Sequence, residues 1–314
     1  MSRVRLTVPG NILLLGEYAV LEEGGWGLAM AVGTRVRLEA SPARSLVIEA
    51  VWSGSPISWT PKRRGESPLI DAAVDVVSER LGRSCAAKVF LDSSDFFSRD
   101  GRKAGLGSSA AVSVALVCGL LESAGEDSAA RGPEAELLAL RAHRRAQGGR
   151  GSGYDITTSF HGGTGLFRGG ASPVWDPCTL PGDPRVLLFA GPAPVSTADA
   201  VARYLTWKER NPAAARDYLR ESSNAILSFV QAGFDARSLL WFSACRELGI
   251  ELGSAIGVPA EVPVPPGLDP KWCKAVGAGN ELGLCLLPPG AQTPPDLEGI
   301  RLVLRADTGV TWGE

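Results

Sequence analysis

Histidine is almost missing from this chain: two residues in 314, His143 and His161. So few imidazoles leave no room for a multi-histidine metal centre or a histidine relay. Methionine (2) and tyrosine (4) are also scarce. An excess of either charge is lacking, because 32 Lys+Arg face 34 Asp+Glu for a net −2. That balance removes the basic footprint of a general nucleic-acid binder. Long apolar runs are lacking as well. The longest, near Ala110 to Leu121, is interrupted by Ser113 and Gly119, short of the roughly 20 residues that span a bilayer. The start, Met1-Ser2-Arg3-Val4-Arg5-Leu6, has no apolar stretch of the signal-peptide kind. Cys85, Cys118, Cys178, Cys245, Cys273 and Cys285 form no C-x-x-C pair and no zinc-like spacing with histidine. They read as small buried hydrophobes. A cytoplasmic location with reduced thiols, no membrane and no nucleic-acid partner is the expectation.

What is present in quantity is glycine (38) and proline (22), in a chain 45% apolar and 21% charged. That composition is globular, and at about 150 residues per domain the length suggests two domains. Pro173, Pro177, Pro181 and Pro184 crowd one stretch. The expected boundary therefore lies around 170–185, giving domains 1–175 and 176–314. Val4, Leu6 and Val8 alternate with polar residues as in a strand, until Pro9-Gly10 breaks the run. Further alternation at Thr34 to Glu39 and Leu46 to Trp52, and the run Ala87 to Leu91, predict strands. Ser67-Pro68 opens a helical pattern that Gly82 ends. Helices are expected from Ala110 to about Ser123 and from Pro133 to Gln147. The second half predicts a strand at Arg185 to Ala190, then helices at Ala198–Lys208, Ala213–Gly233 and Ala236–Leu248. Two short apolar runs follow, Gly283–Leu287 and Arg301–Arg305. The class is α+β.

The segment richest in chemistry is Gly105-Leu106-Gly107-Ser108-Ser109-Ala110. Two glycines let backbone N–H groups approach a ligand, and they stand where a helix begins. Unsatisfied N–H groups and the positive end of the helix dipole then face one point, an anion site. Serine hydroxyls add donors or a magnesium ligand. Lys103 stands two residues before the turn and would bring charge to a transferring phosphoryl group. The segment is neither a Walker A motif nor a dinucleotide fingerprint. Taken alone, it reads equally well as a serine-capped helix after a glycine turn.

Two more segments carry a resemblance. Pro9-Gly10-Asn11-Ile12-Leu13-Leu14-Leu15-Gly16-Glu17-Tyr18 resembles the first motif of the GHMP kinases, the family of galactokinase, homoserine kinase, mevalonate kinase and phosphomevalonate kinase. The glycine–serine turn is similar to the second, ATP-phosphate motif. Lys274-Ala275-Val276-Gly277-Ala278-Gly279 resembles the start of the third. All three stand in family order. Asp100 to Ser109, and His143-Arg144-Arg145-Ala146-Gln147-Gly148 leading to Gly151-Ser152-Gly153-Tyr154-Asp155, most resemble the phosphomevalonate kinase branch. Ser196-Thr197 before a helix fits too.

The resemblance implies a two-domain GHMP kinase fold. Its N-terminal domain is ribosomal protein S5 domain 2-like, with a left-handed crossover, and its C-terminal domain is ferredoxin-like, with ATP and substrate between them. It implies ATP with Mg²⁺ and a small-molecule acceptor, in a monomer or homodimer. Asp155 and Lys103 become the catalytic candidates, Gly105, Leu106, Gly107, Ser108, Ser109 and Ala110 the ATP site, and Ser108 the metal ligand. Asn11, Glu17, Tyr18, Arg144, Ser152, Gly153, Ser196, Gly277, Ala278 and Gly279 become substrate-side residues. Arg144 and Arg150, from the run Arg141–Arg150, would clamp an acceptor phosphate, or belong to a solvated helix face. Glu17 would bind substrate or hold the loop, whereas His143 packs or caps and His161 fills a turn. The sequence departs from the family pattern in three places. Asn11 stands where lysine is common, Asn280-Glu281-Leu282 where more glycines and an aspartate are usual, and Arg144 at the spacing of a metal-binding glutamate. The expected reaction is phosphoryl transfer from ATP to 5-phosphomevalonate. Its rivals are a same-fold kinase acting on mevalonate or another hydroxylated metabolite, and a degenerate nucleotide-binding regulator.

Overall fold

The computed structural model describes residues 3–52, 55–98, 101–149, 151–193, 195–291 and 300–313. Its elements, in chain order, begin with β1 (Val4–Leu15), β2 (Trp26–Pro42), β3 (Val47–Trp52), β4 (Ser55–Trp59), α1 (Pro68–Leu81) and β5 (Ala87–Asp92). Next come α2 (Ser108–Ser123), α3 (Asp127–Arg131), α4 (Pro133–Ala146), α5 (Tyr154–His161), β6 (Thr164–Arg168) and β7 (Val174–Cys178). The remainder is β8 (Arg185–Ala190), α6 (Thr197–Arg210), α7 (Pro212–Gln231), α8 (Ala236–Ile256), β9 (Cys273–Val276), β10 (Leu282–Leu287), β11 (Ile300–Leu304) and β12 (Thr311–Trp312).

Contacts divide the chain into two compact units. The first holds Met1–Ile12, Ala31–Gly163 and Ala306–Glu314, and the second holds Leu13–Met30 and Thr164–Arg305. The chain thus changes unit four times, whereas the proline-rich stretch suggests one boundary at 175/176.

In the first unit the strands run β12-β1-β2-β5-β3-β4. β2 and β5 pair antiparallel, from Arg37 with Asp92 to Pro42 with Ala87, while β3 and β5 pair parallel. α1 forms where its punctuation predicts. Ser67 caps it by accepting the Ile70 N–H, Pro68 occupies the first turn, and Gly82 ends it at φ 62. α2 is apolar on every side and almost wholly buried, and α1, α4 and α5 pack against it. Trp59 is fully buried, its indole N–H donating to Asp71 Oδ1 at 2.9 Å. The expected break at Pro9-Gly10 does not occur, since β1 runs on to Leu15. A proline has no N–H to lose there, and the next N–H, that of Asn11, donates to Leu106 O at 3.0 Å. Gly10 makes that approach possible, because a β-carbon on it would lie 2.5 Å from Leu106 O.

The second unit has a four-stranded antiparallel sheet, β11-β8-β10-β9, with α6, α7 and α8. This is the expected α+β layer. The start of β2, Trp26 to Met30, pairs with β6, which pairs with β7. α8 runs past its expected end at Leu248 to Ile256. A capping box of Asp235 and Ser238 starts it, and it runs through Gly249 and Gly253 to Gly257 at φ 69. Gly253 is needed, since a β-carbon there would meet Val258 O at 2.5 Å. The sequence alone shows no sign of β4, α3, α5, β7, β9 or β12.

Five cysteines are buried and Cys178 is partly so, and all six are free. Burial pushes the Cys118 and Cys245 thiols up to about 12. Among the described residues no helix is long and apolar enough to cross a membrane.

Candidate active site

Within the first unit, the glycine–serine turn is built as an open helix start. Gly107 is the N-cap of α2 in the left-handed region (φ 68), and no side chain caps the helix. Ser108 and Ser109 are the first helical residues, so the serine-capped helix is ruled out. Among the described residues the N–H groups of the first turn therefore have no intrahelical acceptor and no side-chain substitute. Leu106 and Ala110 are buried to either side of the turn, and Ser108 is 6% exposed. Lys103 is exposed on a hairpin that delivers the chain to the turn, closed by Ala104 N–H to Phe96 O at 2.9 Å and a bridge between Phe97 and Lys103. Asp100 and Arg150 lie outside the described residues.

Asp155 stands in the first turn of α5, after Gly153 at φ 93. Its Oδ1 accepts the Ile156 N–H at 2.9 Å, and its side chain is 22% exposed. Asp155 Oδ2 lies 3.6 Å from His143 Nδ1. Asn11, 1% exposed, sits beneath the turn. Its Nδ2 donates to Asp155 O at 3.2 Å and to Ser159 Oγ at 2.9 Å, while its Oδ1 is buried with no partner among the described residues. Asn11 thus ties β1 to α5.

Arg144 braces the loop before Asp155, donating from Nε to Gly151 O and from Nη2 to Ser152 O, both at 3.0 Å. Ser152 is 9% exposed, with Oγ accepting the Tyr154 N–H at 3.4 Å. The rest of the described arginine run faces α1: Arg145 pairs with Glu79 at 2.8 Å and Arg141 with the same carboxylate at 3.3 Å. His161 does not merely fill a turn, because its Nε2 lies 3.0 Å from Glu136 Oε2. His143 is the residue whose part the sequence reading underrated. It is 2% exposed and lies between Ser109 and Asp155.

The second unit carries the other group of candidates. Lys274, 4% exposed on β9, donates to the Glu17 carboxylate, to Ala275 O at 2.6 Å and to Leu14 O at 3.3 Å. A buried ammonium requires such partners. Glu17 therefore holds the strand that leads into the Gly277 loop, and Tyr218 donates to its backbone carbonyl. Tyr18 adopts φ 64, costly for a non-glycine residue. Its hydroxyl donates to Ala278 O at 2.5 Å. Burial, and secondarily the charge of Glu17, push that phenol well above its usual range, so it remains a donor. A cleft is lined by Glu17, Tyr18, Lys274, Gly277, Ala278 and Gly279, with Arg246 on its wall. Ser196 is the N-cap of α6, accepting the Asp199 N–H at 3.3 Å, and follows Val195, whose side chain would lie 3.0 Å from a β-carbon on Gly279. The sequence reading assigned no role to Lys274. Its signal was a lone lysine in a four-residue strand that is buried throughout.

Residues 68–163 match the family described as GHMP kinases N terminal domain. The chain is 28% identical to the mevalonate kinase of Aeropyrum pernix over 176 residues, 54% of this chain and 52% of that one. It is 30% identical to the phosphomevalonate kinase of Saccharolobus solfataricus over 167 residues, 51% of this chain and 47% of that one. The chain thus spans about half the length of these curated relatives. A crystal structure of Streptococcus pneumoniae phosphomevalonate kinase, in complex with phosphomevalonate and AMPPNP, superposes with a TM-score of 0.68 at 17% identity, covering 91% of this chain and 92% of that one. That likeness shows a shared fold. The stretch that matches the GHMP kinase N terminal domain, residues 68–163, holds the uncapped helix start at Gly107 to Ser109 together with His143 and Asp155, so the likeness covers the candidate site.

Proposed function

We propose that this chain is an ATP-dependent small-molecule kinase that transfers the γ-phosphoryl group to 5-phosphomevalonate, giving 5-diphosphomevalonate and ADP. One observation carries the reading. Within a single unit, the open start of α2 at Gly107 to Ser109 stands one imidazole away from the Asp155 carboxylate. Phosphoryl transfer asks the protein chiefly to align two oxygens and to neutralise charge on the moving group. The first-turn N–H groups and Lys103 serve the second need, and Asp155 faces the acceptor. A phosphomonoester, with a second pKa of about 6, is largely ionised at neutral pH. Asp155 then positions it more than it deprotonates it.

Among the described residues no cluster of three or more His, Cys, Asp or Glu could cage a metal. A Mg²⁺ that arrives with the nucleotide commonly keeps phosphate and water ligands and needs few from the protein. The Ser108 hydroxyl would be the protein's contribution. When bound, the ion neutralises phosphate charge.

The rival acceptor is mevalonate, favoured by the likeness to the Aeropyrum pernix mevalonate kinase. An alcohol needs a base, and Asp155 is the carboxylate available. A coupled ADP-release assay with each acceptor decides between them. Turnover with phosphomevalonate supports the proposal, and turnover with mevalonate alone replaces it. Near-normal rates in both Asp155→Asn and Lys103→Ala would remove the site assignment.

A further inference from the structure

We infer that His143 is a positioning residue for Asp155, and that it couples the acceptor-facing carboxylate to the first turn of the phosphate-binding helix. The inference deepens the proposed kinase reading and rests on it for its kinetic consequence.

His143 lies in the last turn of α4 and is 2% exposed. Its ring nitrogens face two different elements. Nε2 is 2.9 Å from Gln147 Nε2 and 3.3 Å from Ser109 Oγ, and Nδ1 is 3.6 Å from Asp155 Oδ2. An amide nitrogen has hydrogens to give and no lone pair to share, so the imidazole nitrogen opposite Gln147 accepts. The neutral ring then carries its proton on Nδ1, and that N–H points at the carboxylate. The other charged groups of the same helix turn are turned elsewhere: Arg144 is spent on the Gly151 and Ser152 carbonyls, and Arg145 pairs with Glu79.

The residue types are those of a serine–histidine–aspartate chain, but the roles are reversed. Ser109 sits inside the helix start and fixes the imidazole, and the carboxylate is the group to be aimed. At 3.6 Å the Nδ1–Oδ2 contact exceeds the ~3.2 Å reach of an N–H···O bond. Such contacts commonly tighten when substrate enters. A phosphate drawn to the open N–H groups of α2 would act on the turn that holds Ser109. His143 would pass that constraint to Asp155, aligning the acceptor only when the nucleotide is in place.

The test has a structural arm and a kinetic arm. With only two histidines in the chain, ¹⁵N imidazole NMR resolves each ring, and a His161→Gln variant assigns them. The expected result is an Nδ1–H tautomer for His143 in the free protein, with its Nδ1 signals moved in Asp155→Asn. An Nε2–H tautomer, or signals indifferent to Asp155→Asn, would overturn the inference. In the kinetic arm, His143→Leu should lower kcat about 10²-fold, the scale of an ångström's misplacement, with the KM for ATP within about threefold of the parent. His143→Asn, which keeps a donor near the Nδ1 position, should recover about tenfold of that loss. Equal kcat in the parent and His143→Leu, or no recovery in His143→Asn, would overturn it. If the parent protein releases no ADP with either acceptor, the kinase reading fails. The NMR arm still decides whether His143 holds Asp155.

Discussion

Gly107 lies so close to Asn11 that a β-carbon on the glycine would come within 2.2 Å of Asn11 Nδ2. The same Asn11 amide holds α5 through Asp155 O and Ser159 Oγ. The glycine–serine turn, the first strand and the helix that bears the candidate carboxylate thus meet on one side chain. Substitution of Gly107 is therefore read in two currencies, stability and the geometry of Asp155.

Gly107→Ala should cost stability in two ways. Holding alanine at φ 68 costs about 1–2 kcal/mol, and displacing Asn11 breaks hydrogen bonds worth roughly 1 kcal/mol each. A loss of about 2–4 kcal/mol is expected. Urea unfolding of the parent and variant measures it. A change below about 0.5 kcal/mol, ordinary for a surface site, would mean that Asn11 does not pack against the turn as described.

The buried Lys274–Glu17 pair should behave asymmetrically. Lys274→Met leaves the Glu17 carboxylate buried without its cation, a change that typically costs about 3–5 kcal/mol. Lys274→Met combined with Glu17→Gln removes the orphaned charge and should recover much of that loss. The two unfolding free energies, compared with Glu17→Gln alone, give the coupling. Additive losses would contradict a direct pair.

Acid stability should depend on Glu136. Burial raises its pKa, but hydrogen bonds from His161 and Thr157 and the charge of His161 outweigh burial and bring it below its ordinary 4.5. A carboxylate depressed in the folded state contributes stability that is present above its unfolded value and lost as pH falls through the folded one. Glu136→Gln should therefore be less stable than the parent near neutral pH, with the difference shrinking below about pH 4. Thermal midpoints across that range test the sign. A gap that widened with acidity would refute it.

Much of the local structure was legible because its causes are local. Ser67, Pro68 and Gly82 punctuate α1 within a few residues of the helix they bound, and β8 is read from its own apolar run. What escaped depends on distant partners. β1 survives Pro9-Gly10 because Leu106, far along the chain, accepts the Asn11 N–H. α5 shows no apolar period, since Thr157, Thr158 and Ser159 are buried polar residues. Lys274 looked like the head of a glycine loop, and only its pairing with Glu17 explains a charge on a buried strand. The sequence around His143 is that of a residue that packs or caps, and only the fold puts Ser109 and Asp155 on its two sides.

Phosphorus NMR of the reaction with ATP and 5-phosphomevalonate tests the proposed transfer most directly. The expected spectrum loses the acceptor's monoester resonance and gains a coupled pair from a diphosphate, as ATP becomes ADP, with the rate strongly reduced in Lys103→Ala. A persistent monoester resonance under these conditions, together with formation of a new monoester when mevalonate is supplied instead, would contradict it.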